Sequence, residues 1–169
     1  MLRQEYAMTG TQGVVMHQVA MKDLPSSEVI ETRFGSVKIE RANPINFPNG
    51  LLGMPDKFLF SLVAFPSKKL SQFKLLQSLD DHALSFITLP IALDNPFIDK
   101  ADIDIACKDL DIAQGQLSML LIVTVTREVS GVRLSANVRA PVFLHLERKL
   151  ASQYVFHNTK YEIRHPITL

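Results

Sequence analysis

The chain has 169 residues, of which 47 % are hydrophobic, and its 18 Lys and Arg residues are balanced by 17 Asp and Glu residues. This length suits one domain with a sizeable core. The net charge of +1 excludes two classes of protein: a basic nucleic-acid binder, which carries an excess of Lys and Arg, and an acidic disordered protein, which has few apolar residues.

The charge is unevenly distributed along the sequence. Residues 1–79 carry nine basic and six acidic side chains, residues 80–111 carry two and eight, and residues 112–169 carry seven and three. We call residues 80–111 the acidic segment. A run of charges usually marks a solvated face, and it also attracts a basic partner. The sequence alone leaves both interpretations open.

The predicted elements begin after an extension. Residues 1–30 have no sustained hydrophobic period and are expected to form a flexible N-terminal extension, so the predicted domain spans residues 31–169. Beyond Thr32, short apolar runs recur about every eight to twelve residues between turn residues, as in antiparallel β domains. The predicted strands are 36–39, 58–64, 73–79, 85–89, 101–105, 117–126, 132–138, 142–147, 153–156 and 161–164.

These elements predict the fold class. The runs 73–79 and 85–89 read as a hairpin with a short acidic loop, and the apolar run 117–126 reads as a central strand. One or two short helical turns are expected within 108–114. So many short strands must close on themselves to protect their edges. We therefore predict a small all-β, mainly antiparallel, β-barrel-like single domain.

Strand 101–105 of the acidic segment alternates Asp with Ile. In a strand, this alternation places Ile103 and Ile105 on one face and Asp102 and Asp104 on the other. The carboxylate face is then predicted to meet water or a partner.

Signatures of catalysis are absent from the sequence. It has no Gly-rich phosphate loop, no nucleophile elbow and no zinc-protease motif, so no catalytic residue, metal site or cofactor is predicted. The single cysteine, Cys107, excludes an intrachain disulfide and reads as an apolar filler. The N-terminus has no secretory pattern, and no apolar run of about 18 residues occurs. We therefore expect a cytoplasmic protein.

Two other functions stay open at this point. A ligand-binding or enzymatic β-barrel would need a deep polar pocket, for example one that holds His145 or His157. An oligonucleotide-binding barrel would need a basic groove lined by exposed aromatic side chains.

Several short motifs together resemble one family over residues 32–167. They are TRFG at 32–35, FPNGLLG at 47–53, LQSLDD at 76–81 with LSF at 84–86, IVTV at 122–125, ANVRAPV at 136–142, Gln153, and YEIRHP at 161–166. In this order they resemble FliW, a family of bacterial flagellar assembly factors.

The resemblance implies a non-catalytic, barrel-like protein with two protein partners. FliW-like proteins bind CsrA, an RNA-binding translational regulator, and antagonise its repression of flagellin synthesis. They also bind flagellin, which competes with CsrA. We therefore expect a CsrA-type regulator and flagellin as partners, with no direct contact to nucleic acid or membrane.

The resemblance also assigns roles to residues. An architectural role is expected for the residues that match the family's turns: Phe47, Pro48, Gly50, Gly53, Asn137, Ala140, Pro141 and His165. Arg164 is expected either to anchor the tail or to touch a partner. Because CsrA binds RNA and is basic, the expected CsrA surface is acidic. It comprises Asp99, Asp102 and Asp104, with Asp94 nearby.

Overall fold

The computed structural model describes residues 26–129 and 131–168. The expected N-terminal extension lies outside the described residues except for residues 26–30, most of which belong to the first strand. The strands are β1 Ser27–Thr32, β2 Gly35–Glu40, β3 Ile45–Asn46, β4 Leu59–Ala64, β5 Lys74–Ser78, β6 Ser85–Ile91, β7 Leu117–Glu128, β8 Gly131–Ala136, β9 Val142–His145, β10 Leu150–Gln153 and β11 His165–Ile167. The helix is α1 Lys100–Asp109, and short 3₁₀ turns occupy Lys68–Leu70 and Gln114–Gln116.

The large sheet closes into a ring. Its strands follow the order β7, β6, β5, β4, β3, β10 and β9, and β9 pairs back onto β7. The pairs are antiparallel apart from the short parallel contact between β10 and β3. This closure removes the strand edges within the ring. The prediction of a β-barrel-like, mainly antiparallel domain is confirmed.

Strand β7 joins the ring to the rest of the sheet. It is 12 residues long; residues 117–120 pair with β9, and residues 123–128 pair with β8. Strand β11 pairs with β8 on the far side. The prediction of a central apolar strand is confirmed, as is the β5–β6 hairpin around the acidic loop.

Side chains on the two faces of the ring strands pack into two different cores. The interior core contains the fully buried rings of Phe47 and Phe60, whose centroids lie 5.0 Å apart, together with Leu76, Leu120 and Val142. Because side chains alternate between the two faces of a strand, their sequence neighbours point outward into a second, outer core. That core is covered by the β1–β2 hairpin, by α1 and by the segment 154–161.

The predicted strand 101–105 is wrong, because residues 100–109 form helix α1. The helix turns Ile103, Ala106 and Cys107 into the outer core, a spacing of three and four residues that fits a helical period. Ile105, predicted to share a face with Ile103, is 55 % exposed. Period-two alternation of Asp and Ile was therefore a misleading signal.

The last two predicted strands are misplaced. Strand β10 ends at Gln153 instead of beginning there, and β11 begins at His165, just after the predicted strand 161–164. The residues between them form no ladder; Phe156 and Tyr161 pack against each other, with ring centroids 4.9 Å apart, and against the rest of the outer core. Their apolar spacing reflects this anchoring and not a strand.

Within the described residues, no helix has both the length and the apolar character to cross a membrane.

Candidate partner-binding site

The N-terminal end of α1 is fastened to the C-terminal segment of the chain. Lys160 Nζ lies 2.7 Å from Asp99 Oδ2 and 3.0 Å from Asp102 Oδ2. The Tyr161 hydroxyl donates a hydrogen bond to the Asp102 carboxylate and accepts one from the Asp99 N–H at 3.1 Å. Asp102 therefore holds the helix in place.

These contacts fix the charge states. The hydrogen bonds from Tyr161 and Lys160 hold the pKa of Asp102 below its usual value. The carboxylates of Asp99 and Asp102 raise the pKa of Lys160. Burial, followed by the hydrogen bond to Asp102, raises the pKa of Tyr161. At neutral pH Asp102 is thus a carboxylate, Lys160 an ammonium and Tyr161 a neutral phenol.

Asp104 points away from Asp102. Its side chain is 47 % exposed, and Lys100 Nζ lies 3.0 Å from Asp104 Oδ1, one helical turn earlier. The Gln114 amide also donates to this carboxylate. The predicted shared carboxylate face of Asp102 and Asp104 is therefore wrong, because a helix rotates residues two positions apart to nearly opposite sides.

Asp94 lies in the loop that leads from β6 to α1. The side-chain oxygen of Asn95 accepts hydrogen bonds from the N–H groups of Phe97 at 2.9 Å and Ile98 at 3.0 Å. This local turn orders the loop. A groove of about 480 Å³ runs between the loop and the start of the helix, lined in part by Asp94, Asp99 and Gln114.

The C-terminal motif reaches the same region. The rings of Phe97 and His165 meet edge to face, with centroids 5.7 Å apart, and Glu162 lies 3.1 Å from His165 Nδ1. Arg164, which lies between Glu162 and His165 in the sequence, is exposed.

Asp94 and Asp99 line the groove, and Asp104 contacts Lys100 and Gln114, which line it as well. Asp102 faces Lys160 and Tyr161 on the other side of the helix. We call this surface around α1 the helix face: Asp94, Asp99, Asp102 and Asp104.

Sequence reasoning missed the residues that build this face. Lys160 and Tyr161 hold Asp99 and Asp102 from positions about sixty residues further along the chain. Tyr161 belongs to a motif that the resemblance singled out, but neither its spacing nor its type indicates a contact with α1.

The first motif turn has an unusual backbone. Gly50 and Gly53 have positive φ angles of 64° and 79°, a region that glycine adopts without strain. The Gly50 N–H donates to the Phe47 carbonyl at 2.9 Å. Phe47 lies in the interior core, and Pro48 follows it into the loop.

The second motif turn is tied to the first by one amide side chain. Gln153 Nε2 donates to the Ala140 carbonyl at 2.9 Å, and Gln153 Oε1 accepts from the Leu52 N–H at 3.1 Å. The Asn137 side chain accepts from the Ala140 N–H at 3.0 Å. Pro141 follows and leads into β9.

The centre of the ring is filled by side chains with no exposed surface, among them Phe47, Phe60 and Val142. A groove of about 430 Å³ opens beside this core and is lined in part by Ile45 and Leu144; neither His145 nor His157 lines it. His145 is buried on β9, whereas His157 is exposed beyond β10. Among the described residues, no group of three or more His, Cys, Asp or Glu side chains is placed to hold a metal ion.

Comparison with known proteins identifies the family. The family model described as FliW protein matches residues 28–167. The chain belongs to the FliW family. The resemblance over residues 32–167 is thereby confirmed, and the match begins inside β1.

Relatives agree with this assignment, and a solved structure shares the fold. The chain is 31 % identical over 140 residues to the flagellar assembly factor FliW of Geotalea uraniireducens, covering 82 % of this chain and 83 % of that protein. It is 31 % identical over 139 residues to FliW of Bacillus pumilus, covering 81 % and 94 %. A crystal structure of the flagellar assembly factor FliW shares the fold, with a TM-score of 0.60 at 23 % identity over 82 % of this chain and 96 % of that one.

Proposed function

We propose that this FliW-family protein acts in flagellar assembly as a cytoplasmic, non-catalytic regulator of translation. It binds a CsrA-type regulator and thereby relieves repression of flagellin synthesis. It also binds flagellin, which competes with the regulator. When flagellin leaves the cell, the freed protein sequesters the regulator, and flagellin translation resumes.

The observation that carries this proposal is the charge of the helix face. Four carboxylates lie there, Asp94, Asp99, Asp102 and Asp104, against two ammonium groups, Lys100 and Lys160. The excess of negative charge favours a basic protein such as an RNA-binding regulator.

An apolar side chain lies beside these charges. Ile105, which directly follows Asp104, is 55 % exposed on the outer side of α1. Protein interfaces commonly combine an apolar centre with a charged rim. A protein partner therefore fits this face better than a small ion does.

Calorimetry with the CsrA-type regulator of the same bacterium tests the site. We expect the double variant Asp94→Lys/Asp104→Lys to bind at least about tenfold more weakly, because it replaces attraction with repulsion at two exposed positions. The wild-type affinity should fall as salt is raised. Asp102 is left unchanged, since its loss would disturb the fold.

The control is the single variant Glu31→Lys, which makes the charge change of one of the two substitutions at a position on the β1–β2 hairpin, where Glu31 contacts Ser36. It should bind like the wild type. If the double variant retains full affinity, the helix face is not the regulator's site. If the wild-type protein does not bind the regulator, the proposed function is wrong.

Competition tests the role of flagellin. Fluorescently labelled regulator, bound to the protein, should be released when flagellin is added in excess, as measured by anisotropy. A stable complex that contains all three proteins would contradict competition between the two partners.

A further inference from the structure

Leu52 is an exposed apolar side chain on a rigid backbone. It lies in the loop 48–57 between β3 and β4, and its side chain is 57 % exposed. On either side of it, Leu51 and Met54 exchange backbone hydrogen bonds of 3.2 and 2.8 Å. Its own N–H donates to Gln153 Oε1 at 3.1 Å.

The loop is fixed at its base as well. The Phe47 N–H donates to the Phe58 carbonyl at 2.7 Å, and Leu51 is buried in the interior core. A Cβ atom at Gly50 would lie 2.4 Å from the Met54 carbonyl oxygen, so the chain doubles back closely on itself. Binding through Leu52 would therefore cost little ordering of the loop, which is typical of an interface anchor.

A second exposed apolar group lies beside three carboxylates at the base of this loop. Phe58 is 37 % exposed, and the N–H groups of Phe58 and Leu59 both donate to Asp80 Oδ2 at 3.0 Å. Lys57 Nζ lies 3.8 Å from Asp56 and 3.6 Å from Asp81. We call the combined surface the loop face: Leu52, Asp56, Phe58, Asp80 and Asp81.

The acidic turn that carries Asp80 and Asp81 is ordered by a buried amide. Gln77 is fully buried, and the two hydrogens of its Nε2 are shared among the carbonyl oxygens of Ser78, Asp81, His82 and Leu84, which lie 3.0 to 3.4 Å away. The Ser78 hydroxyl accepts from the N–H groups of Asp80 and Asp81. The acidic turn between β5 and β6 is thus as well ordered as the Leu52 loop.

The loop face is separate from the helix face. The acidic turn enters β6 at Ser85, whereas the loop that carries Asp94 leaves β6 at Ile91. Strand β6 has seven residues, which corresponds to about 20 Å of extended chain. The two surfaces therefore lie at opposite ends of this strand.

The chemistry of the loop face selects its partner. The N–H groups of Leu51, Leu52 and Met54 are already used within the protein, so a partner cannot add here as a strand. Two exposed apolar side chains and three carboxylates against one ammonium fit an amphipathic helix with basic flanks. We propose that the loop face docks a basic amphipathic helix of a partner protein, whose apolar residues contact Leu52 and Phe58 and whose Lys or Arg residues face Asp56 and Asp81.

A synthetic peptide tests this proposal on the full chain. The probe is a fluorescein-labelled amphipathic helix of Leu and Lys, and the matched control peptide carries Glu in place of Lys. By anisotropy, we expect the basic peptide to bind and the acidic peptide not to bind. Leu52→Ser and Asp56→Lys should each weaken binding at least about fivefold.

Two control variants make the outcome specific. Val132→Ser removes another exposed apolar side chain, 63 % exposed on β8, and Glu31→Lys repeats the charge change elsewhere; both should bind the basic peptide like the wild type. The proposal is overturned if the wild type does not bind the basic peptide, or if Leu52→Ser binds it with the wild-type affinity. A wild-type dimer that Leu52→Ser dissociates in sedimentation would also overturn it, because a second copy would then occupy the face. Since regulator binding is tested at Asp94 and Asp104, the two proposals fail independently.

Discussion

Gly50 and Gly53 occupy the same loop and the same left-handed region, but their surroundings differ. A Cβ atom at Gly50 would meet the backbone of Met54 and Pro55 at 2.4 to 2.9 Å, whereas one at Gly53 would meet nothing within 4 Å. Gly53→Ala should therefore cost only the backbone strain, about 1 to 2 kcal/mol. Gly50→Ala should cost about 3 kcal/mol or more, because the loop must also move.

Urea unfolding of both variants measures this difference. Since the backbone strain is common to the two positions, the additional loss of unfolding free energy in Gly50→Ala measures the cost of the close contact with Met54 and Pro55 alone. Equal losses of stability in the two variants would show that the loop yields without cost, and would also weaken the case for a rigid Leu52.

Tyr154 gives a second prediction for a single residue. Its hydroxyl donates to Asp109 Oδ2 at 2.7 Å, and this bond raises the pKa of Tyr154 from 10.0 to about 12. The unfolded chain loses the phenol proton at lower pH. The contact therefore stabilises the fold fully below about pH 10, and this contribution is lost as the pH rises towards 12.

Ultraviolet absorbance of tyrosinate checks the assignment. Because the pKa of Tyr161 is raised as well, the assignment depends on the difference between variants. Tyr154→Phe should remove one late ionisation from the titration of the folded protein, and Asp109→Asn should shift that same ionisation to lower pH. If Asp109→Asn titrates like the wild type, the hydrogen bond is not its cause.

At the scale of the element, helix α1 depends on its contact with the C-terminal segment. Asp102→Asn removes a charged acceptor from Tyr161 and Lys160, so we expect a loss of about 1 to 2 kcal/mol at neutral pH. Because the folded pKa of Asp102 is lowered, its contribution is present above the unfolded value, about 3.9. It is lost as the pH falls through the folded value.

Unfolding in urea at neutral and acidic pH measures this effect. The difference in stability between the wild type and Asp102→Asn should shrink towards zero in acid. Asp104→Asn is the matched control on the same helix. Its exposed pair with Lys100 should contribute about 0.5 kcal/mol or less. A loss for Asp104→Asn equal to that for Asp102→Asn would contradict the anchoring role of Asp102.

The same helix shows why some elements could be predicted and others could not. Strands such as β5 and β7 were predicted because their apolar runs lie where both faces of the sheet are buried. There the local sequence pattern and the tertiary environment favour the same structure. In α1, alternating Asp and Ile imitate a strand, and only the spacing of Ile103, Ala106 and Cys107 indicates a helix. The carboxylates of the site were recognised from their charge. Their partners Lys160 and Tyr161 were not, because contacts between distant parts of the chain leave no local pattern.

At the scale of the whole molecule, β7 connects the two cores. Leu120 and Leu121 are neighbours on this strand, and they are 1 % and 0 % exposed. Leu120 lies in the interior core and Leu121 in the outer core. Because the ring closes through β7, detaching this strand from the sheet disrupts both cores. The domain should therefore unfold as one unit.

Two leucine variants test this cooperativity. Leu120→Ala and Leu121→Ala should each lower stability by about 2 to 5 kcal/mol. The chain has no tryptophan and three tyrosines. In a Tyr6→Phe background, tyrosine fluorescence therefore reports the outer core, where Tyr154 and Tyr161 pack, while far-ultraviolet circular dichroism reports the whole sheet. In both variants the two signals should change at the same urea concentration. An earlier dichroism transition confined to Leu120→Ala would mean that the interior core unfolds separately, and that β7 does not couple the ring to its outer layer.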